Sequence, residues 1–267
     1  MPIPAVDTRA LTRRFGSLTA VDSLTISVES GEIFGLLGPN GAGKTTAIKM
    51  LVTLLPPTSG NATVAGSDIT RQQVAVRHAI GYVPQMLSAD GTLTGYENLL
   101  IFAKLYGVPR SERAGRVRDA LGFMGLDGAA DRLVRGYSGG MIRRLEIAEA
   151  MLHHPRVLFL DEPTIGLDPV ARQAVWEHIA HFRAGWETTV ILTTHYMEEA
   201  DALCDRVAIM HLGRVAASGS PAALKGSIGK ENATLNEVFA HYTDDILESG
   251  GTYRDTRRTR RTARRVG

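Results

Sequence analysis

The stretch GPNGAGKTT, residues 38–46, constrains this chain more tightly than any other. It satisfies the spacing G-x-x-x-x-G-K-[ST], follows the mostly apolar run EIFGLLG (32–38), and opens a helix expected from Lys44 to about Leu55. That order of strand, glycine-rich loop and helix is the setting a phosphate-binding loop requires, and it weighs against a chance turn. Gly38, Gly41 and Gly43 let the backbone wrap a polyphosphate, whose charge also meets the positive end of the helix. Pro39, Asn40, Ala42 and Thr46 complete the cradle. Lys44 is expected to reach the β- and γ-phosphates, and the Thr45 hydroxyl to ligate Mg²⁺.

The rest of the chain reads as an α/β protein around this loop. Residues 1–31 hold short β-like runs, AVDTRALTR and AVDSLTISVES, with a turn between them. AIGYVPQ (79–85), RVLFLDEP and TTVILTTH read as further strands, the last two as apolar runs buried on both faces of a parallel sheet. RVAIMHLGRVAASG reads as a hairpin turning near Gly213. From about 86 to 152 the pattern is mainly helical, which suggests an inserted α-helical subdomain. A further helical segment is expected at about 231–247, and 248–267 reads as a basic disordered tail. The folded body thus spans 1–247.

Ligands of open α/β sheets bind beyond the carboxyl ends of the strands. EIFGLLG ends at the glycine loop, GYVPQ at Gln85, VLFLDE at Asp161 and Glu162, and VILTTH at His195. Asp161 is placed to support Mg²⁺, and Glu162 to polarise an attacking water as general base.

A second helix start needs explanation. RGYSGGMIRR (135–144) puts two glycines at the threshold of a helix in which Met141, Leu145, Ala148 and Leu152 form one face, with Arg and Glu elsewhere. Glycine costs roughly 1 kcal/mol inside a helix. A helix N-terminus offers unpaired N–H groups and partial positive charge, so Ser138, Gly139 and Gly140 suit a phosphate. Either this helix closes over the nucleotide of its own chain, or it serves one held by another chain.

At this point the residues resemble the ATP-binding subunits of ABC transporters, over residues 1 to about 225. Phe15 in RRFG matches the aromatic that stacks on adenine; Gly38–Thr46 match Walker A; Gln85 matches the glutamine of the Q-loop. YSGGM matches the signature, Asp161 and Glu162 match Walker B, Asp168 in IGLD matches the D-loop, and His195 matches the switch histidine. The resemblance implies a P-loop NTPase fold with a RecA-like core, an N-terminal antiparallel β subdomain and the inserted helical subdomain. It implies catalytic roles for Glu162, His195 and Gln85, and Mg²⁺ held by Thr45, Gln85 and Asp161. Two cassettes, as a homodimer or a paired cassette, would bind head to tail, so that Ser138, Gly139, Gly140 and Asp168 contact ATP on the partner. It also implies a separate integral membrane permease and a place on the cytoplasmic inner face of the cell membrane. The signature departs from the commonest form, Leu-Ser-Gly-Gly-Gln, at Tyr137 and Met141. YSGGM with basic residues after it, and the late TLNEVF, are similar to the branch paired with type 2 exporters, which includes antibiotic and multidrug efflux systems.

Plainer readings stand beside several of these. Phe15 also fits a strand core, and His195 a capped surface position. His153–His154 precede Pro155 without the spaced Cys or His that a metal site needs. Cys204 reads as a small apolar filler. One cysteine in 267 residues excludes an intrachain disulfide, no apolar run approaches the roughly 18 residues of a membrane span, and no signal peptide is expected. Residues 254–267 hold seven Arg against one Asp, a balance of +6, which leaves −4 on the remainder of a chain whose total is +2. The tail reads first as a solvated extension, then as a contact for anionic lipid, and last as a nucleic-acid binder, for which no aromatics interleave. The competing functional class is a soluble ABC ATPase acting on ribosomes or DNA. It fits poorly, because the chain has one cassette and only 94 positions, without sustained heptads, between Lys44 and Ser138.

Overall fold

Polar ends on apolar strands place the site only if those strands lie side by side and run the same way. The structure, a computed structural model, describes residues 3–186 and 188–248. In chain order the elements are β1 (Val6–Phe15), β2 (Leu18–Leu24), β3 (Ser27–Val28), β4 (Ile33–Leu37), α1 (Lys44–Leu51), β5 (Ser59–Val64), β6 (Ser67–Asp68), α2 (Gln73–Ala79) and β7 (Ile80–Val83). Then follow α3 (Gly95–Leu105), α4 (Arg110–Phe123), two 3₁₀ turns at Asp127–Ala129 and Val134–Gly136, and α5 (Gly139–Met151). The chain continues through β8 (Val157–Asp161), α6 (Pro169–Trp186), β9 (Thr189–Thr194), α7 (Met197–Leu203), β10 (Arg206–His211), β11 (Arg214–Gly219), α8 (Pro221–Ser227) and α9 (Leu235–Glu248).

The central sheet has the order β11-β10-β4-β9-β8-β7. Its last five strands are parallel, and β11 closes one edge as the antiparallel arm of the hairpin at Gly213. Strands β4, β8 and β9 are buried at every position, which is why they read as continuous apolar runs. The order β4-β9-β8-β7 sets the four expected carboxyl ends next to one another. A second, antiparallel sheet, β2-β1-β5-β6 with β3 on β1, forms the N-terminal subdomain. Two apolar clusters follow from this layering. One joins the helical subdomain to one face of the central sheet, and the other fills the space between the sheets around α1.

Several expectations are corrected. The helix after the P-loop ends at Leu51 rather than near Leu55, because Thr53 turns the chain with φ 64° and the Leu54 and Leu55 amides fold back onto the Lys49 carbonyl. Strands β5 and β6 and helices α2, α6, α7 and α8 were not assigned from the pattern. In the helical subdomain, regular helix begins at Gly95, not at 86. Thr94 starts it with a capping box, its hydroxyl and the Glu97 carboxylate satisfying each other's amides. The C-terminal helix begins at Leu235, and the arginine-rich residues 254–267 lie outside the described residues. Cys204 is buried beside Gly35, where a Cβ would lie 2.7 Å from its Sγ, and burial pushes the thiol up, as a filler requires.

Candidate functional site

Strand β4 delivers Gly38, and the loop that follows turns through positive φ at Gly38, Gly41 and Gly43. Gly43 is the residue just before α1, at φ 104°, and a Cβ there would strike the Ala20 carbonyl; only glycine serves. Lys44 is buried. Its ammonium donates to the Gly38 carbonyl at 2.7 Å and the Pro39 carbonyl at 3.3 Å, and lies 2.9 Å from Glu162 Oε1. The lysine expected on phosphate is thus held by its own loop and by the candidate base.

Strand β8 ends at Asp161, and Glu162 then takes a left-handed conformation, φ 52°, that re-aims its side chain. Glu162 is 4% exposed, with Lys44 on one carboxylate oxygen and His195 Nδ1 2.7 Å from the other. An N–H on Nδ1 makes that contact a hydrogen bond and leaves Nε2 of the imidazole for other partners. Asp161 Oδ1 accepts from the Thr45 hydroxyl at 3.0 Å and the Thr193 hydroxyl at 2.6 Å. Its Oδ2 is buried and has no hydrogen-bond partner among the described residues. An orphaned carboxylate oxygen beside a threonine hydroxyl is the hard-oxygen donor set that Mg²⁺ takes. Thr193 was missed by sequence reading. Its hydroxyl also accepts the Glu162 amide at 2.9 Å, so one threonine orders both acids. The signal was a threonine pair ending an otherwise apolar strand.

Gln85 is exposed in the loop after β7, and its carbonyl accepts from Arg143 at 2.8 Å. Phe15 ends β1, 45% exposed, with the Arg13 guanidinium 4.6 Å from its ring centroid. It is not a core residue. Thus the P-loop, Asp161, Glu162 and His195 form one connected cluster.

Ser138 starts α5, its hydroxyl accepting the Met141 amide at 3.3 Å. Gly139 is exposed. Gly140 is buried, and a Cβ on it would lie 2.8 Å from Ala171 Cβ of α6. The second glycine therefore has a packing reason within its own chain. No P-loop atom lies within 4 Å of the position a Cβ would take on either glycine. Asp168 caps α6 by accepting the Ala171 amide at 2.9 Å, and Leu167 beside it is the neighbour of Gly139. The N-terminus of α5 thus lies beside the Leu167–Asp168 segment.

Tyr137 is buried and donates to the Ala129 carbonyl at 2.6 Å. A Cβ on Gly95 would overlap its hydroxyl, so the small residue opening α3 makes room for the ring. Glu199, fully buried on α7, accepts from Thr164 at 2.8 Å and Trp176 at 2.9 Å; burial raises its pKa. It ties the segment after Glu162 to α6. His153 stacks on Tyr106 at 3.9 Å and contacts the Ile80 carbonyl through Nε2 at 2.9 Å, which fixes Nε2–H as the donor. Among the described residues no group of three or more His, Cys, Asp and Glu side chains could hold a metal ion.

The profile of the ABC transporter family matches residues 21–165. The chain is 46% identical over 229 residues to the daunorubicin/doxorubicin resistance ATP-binding protein DrrA of Streptomyces peucetius, covering 85% of this chain and 69% of that protein. It is 41% identical over 261 residues to the Nod factor export ATP-binding protein I of Burkholderia lata, covering 94% and 86%. Among solved structures, an ATP-binding subunit of an ABC transporter superposes with TM-score 0.79 at 29% identity, over 90% of this chain and 99% of that one. CbiO1 of Clostridium perfringens, part of the ABC transporter complex cbiONQ, gives TM-score 0.77 at 26% identity, over 86% and 92%.

Proposed function

The chain belongs to the ABC transporter family, and from that premise we propose that it is the ATP-hydrolysing subunit of an exporter for drugs, antibiotics or other amphiphiles. The observation that carries the chemistry is the buried Glu162 carboxylate held between Lys44 and His195, next to Asp161. The P-loop binds the polyphosphate, and Lys44 leaves Glu162 for the β- and γ-phosphates, where more negative charge is concentrated. One oxygen of Glu162 is thereby released to take a proton from water. The water oxygen bonds to the γ-phosphorus, the bond to the ADP oxygen breaks, and His195 keeps the carboxylate aimed. Thr45, Gln85 and Asp161 would hold Mg²⁺, which would supply neutralisation of charge on the phosphate oxygens.

Two chains, or this chain and a paired cassette, would meet head to tail. Ser138 and Gly139 then present helix N–H groups to the γ-phosphate on the partner, with Asp168 alongside. Neither glycine has a P-loop atom of its own chain within 4 Å of the place a Cβ would take, and Gly139 is exposed, which leaves it open to a partner. For the membrane subunit, exposed Met86 and Leu87 in the Gln85 loop, and exposed Ile101 and Leu105 on α3, supply an apolar docking surface. Asn98 of α3 joins the two by accepting the Asp90 amide at 2.9 Å. Among the described residues no helix is long and apolar enough to cross a membrane. In this reading the chain works on the cytoplasmic face of the membrane, against a separate membrane subunit that supplies the path.

The test is Glu162→Gln. Turnover should fall by about 10² or more, while ATP binding persists and ATP drives dimerisation measured by sedimentation. Parent-rate hydrolysis by this variant would remove Glu162 as base.

A further inference from the structure

The helix that starts at Ser138 also grips the loop that carries Gln85. Arg143, one turn into α5, is 2% exposed; it donates to the Pro84 carbonyl at 2.7 Å and the Gln85 carbonyl at 2.8 Å. Glu146, one turn further and equally enclosed, lies 3.0 Å from Arg143 through Oε2. Its Oε1 accepts the Ser88 amide and, at 3.1 Å, the Ser88 hydroxyl. Two side chains thus hold both ends of residues 84–88, while Met86 and Leu87 between them point outward, 82% and 49% exposed. A buried ion pair is weak support for stability, since apolar residues of similar volume do as well or better. What this pair supplies is a fixed place for a loop.

We propose that Arg143 and Glu146 are positioning residues that make the Gln85 loop move with the N-terminus of α5. The two sites they join are the Ser138–Gly139 contact with one nucleotide and the Mg²⁺ edge that holds the other. The proposal rests on the head-to-tail reading above. A helix is stiff along its axis, and Arg143 lies only about 6 Å from Gly139 at 1.5 Å per residue. Displacement of α5 by a γ-phosphate at Gly139 is therefore passed to Pro84, Gln85 and Ser88 through hydrogen bonds to their main chain. The carbonyls held do not depend on side-chain rotamers, so the loop follows as a unit. Through it the state of one nucleotide reaches Gln85 of the other site.

The experiment compares ATP hydrolysis by the full chain with that of the double variant Arg143→Met/Glu146→Gln, which leaves no unpaired charge buried, and of Ser88→Ala. The double variant should bind ATP as the parent does and keep its KM, while kcat falls about 10–100-fold, the range for losing groups that orient a metal site. Its dependence on ATP concentration should lose sigmoidicity, with a Hill coefficient approaching one. Arg143→Lys keeps the charge but cannot span two carbonyls, and should recover part of kcat. Ser88→Ala deletes one hydroxyl contact without threatening the fold, and should show the same loss of cooperativity in smaller measure. Parent kcat and cooperativity in the double variant overturn the proposal. So does loss of ATP binding in step with kcat, or a parent-like Ser88→Ala beside a double variant that fails to fold. If Glu162→Gln fails to dimerise on ATP, the head-to-tail reading has failed. If it dimerises and the double variant stays cooperative, only the clamp has failed.

Discussion

A Cβ placed on Gly140 would lie 2.8 Å from the Cβ of Ala171. The two glycines of the signature therefore answer to different neighbours, and substitution should separate them. Gly140→Ala forces α5 from α6 and should cost about 1–3 kcal/mol, the range for overpacking. Gly139→Asp meets only Leu167 at 3.4 Å and puts an acid in the first turn of a helix. Its melting should stay within about 0.5 kcal/mol of the parent. Yet its carboxylate would repel the partner's γ-phosphate, so ATP-driven dimerisation and hydrolysis should collapse. A Gly139→Asp chain that hydrolysed ATP normally would sink the contact in trans.

Glu162 is compensated by Lys44 at 2.9 Å, with both side chains buried. Lys44→Ala leaves that carboxylate with His195 alone and should destabilise the chain by about 3–5 kcal/mol, the cost of breaking a buried pair. Lys44→Ala/Glu162→Gln removes the stranded charge and should regain much of this. Additive losses in a denaturant double-mutant cycle would show that the pair is not coupled.

The hydroxyl of Tyr137 occupies the space above Gly95. Gly95→Ala ought to gain helix propensity, but in the parent it should destabilise by about 1–3 kcal/mol, because the ring is trapped by its bond to Ala129. In a Tyr137→Phe background the same change should turn nearly neutral. Thermal melts of the four chains decide this, and equal penalties in both backgrounds would refute it.

Burial, with the Glu146 carboxylate close by, raises the Glu149 pKa from 4.5 to about 8. Burial raises the Tyr106 pKa as well, and the Glu149 carboxylate adds to that rise. The folded state therefore binds a proton that the unfolded state releases near 4.5. The stability this contributes is fully present below that pH and is lost as pH rises through about 8. Glu149→Gln should flatten the decline over this window and raise stability at its alkaline end by a few kcal/mol, on the order set by 1.36 kcal/mol per pKa unit. Parallel pH profiles for the two chains would contradict the assignment.

The strands that carry the site were legible because each is short, apolar and ended by a polar residue. Their parallel neighbourhood follows from the α/β pattern alone. Strand β5, SGNATV, was not legible, since Ser59 and Gly60 continue a run of turn residues and its partner β1 lies some fifty residues away. The P-loop, Asp161, Glu162 and His195 fell where spacing put them. What spacing did not show was α5 as a helix buried all round from Leu145 to Met151. Periodicity assigned its apolar stripe to the core and left Arg143, Glu146 and Glu149 elsewhere, yet all three are buried. A wheel sorts side chains by polarity; Arg143 and Glu146 are inside because they meet groups of residues 84–88 on a distant element, while Glu149 is inside with its Oε1 unpartnered among the described residues. The same limit hid the contact between Lys44 and Glu162.

One face of Phe15 is backed by the Arg13 guanidinium at 4.6 Å, and the ring is otherwise open at the end of its strand. A base laid on the open face meets a π surface, which every base can match, and offers its hydrogen-bonding edge to no partner in that contact. Such a platform weighs flatness and area rather than letters. Guanosine and cytidine triphosphates should therefore serve as fuel at rates set mainly by how well each ring overlaps phenylalanine. In a living cell the choice among them would fall to abundance.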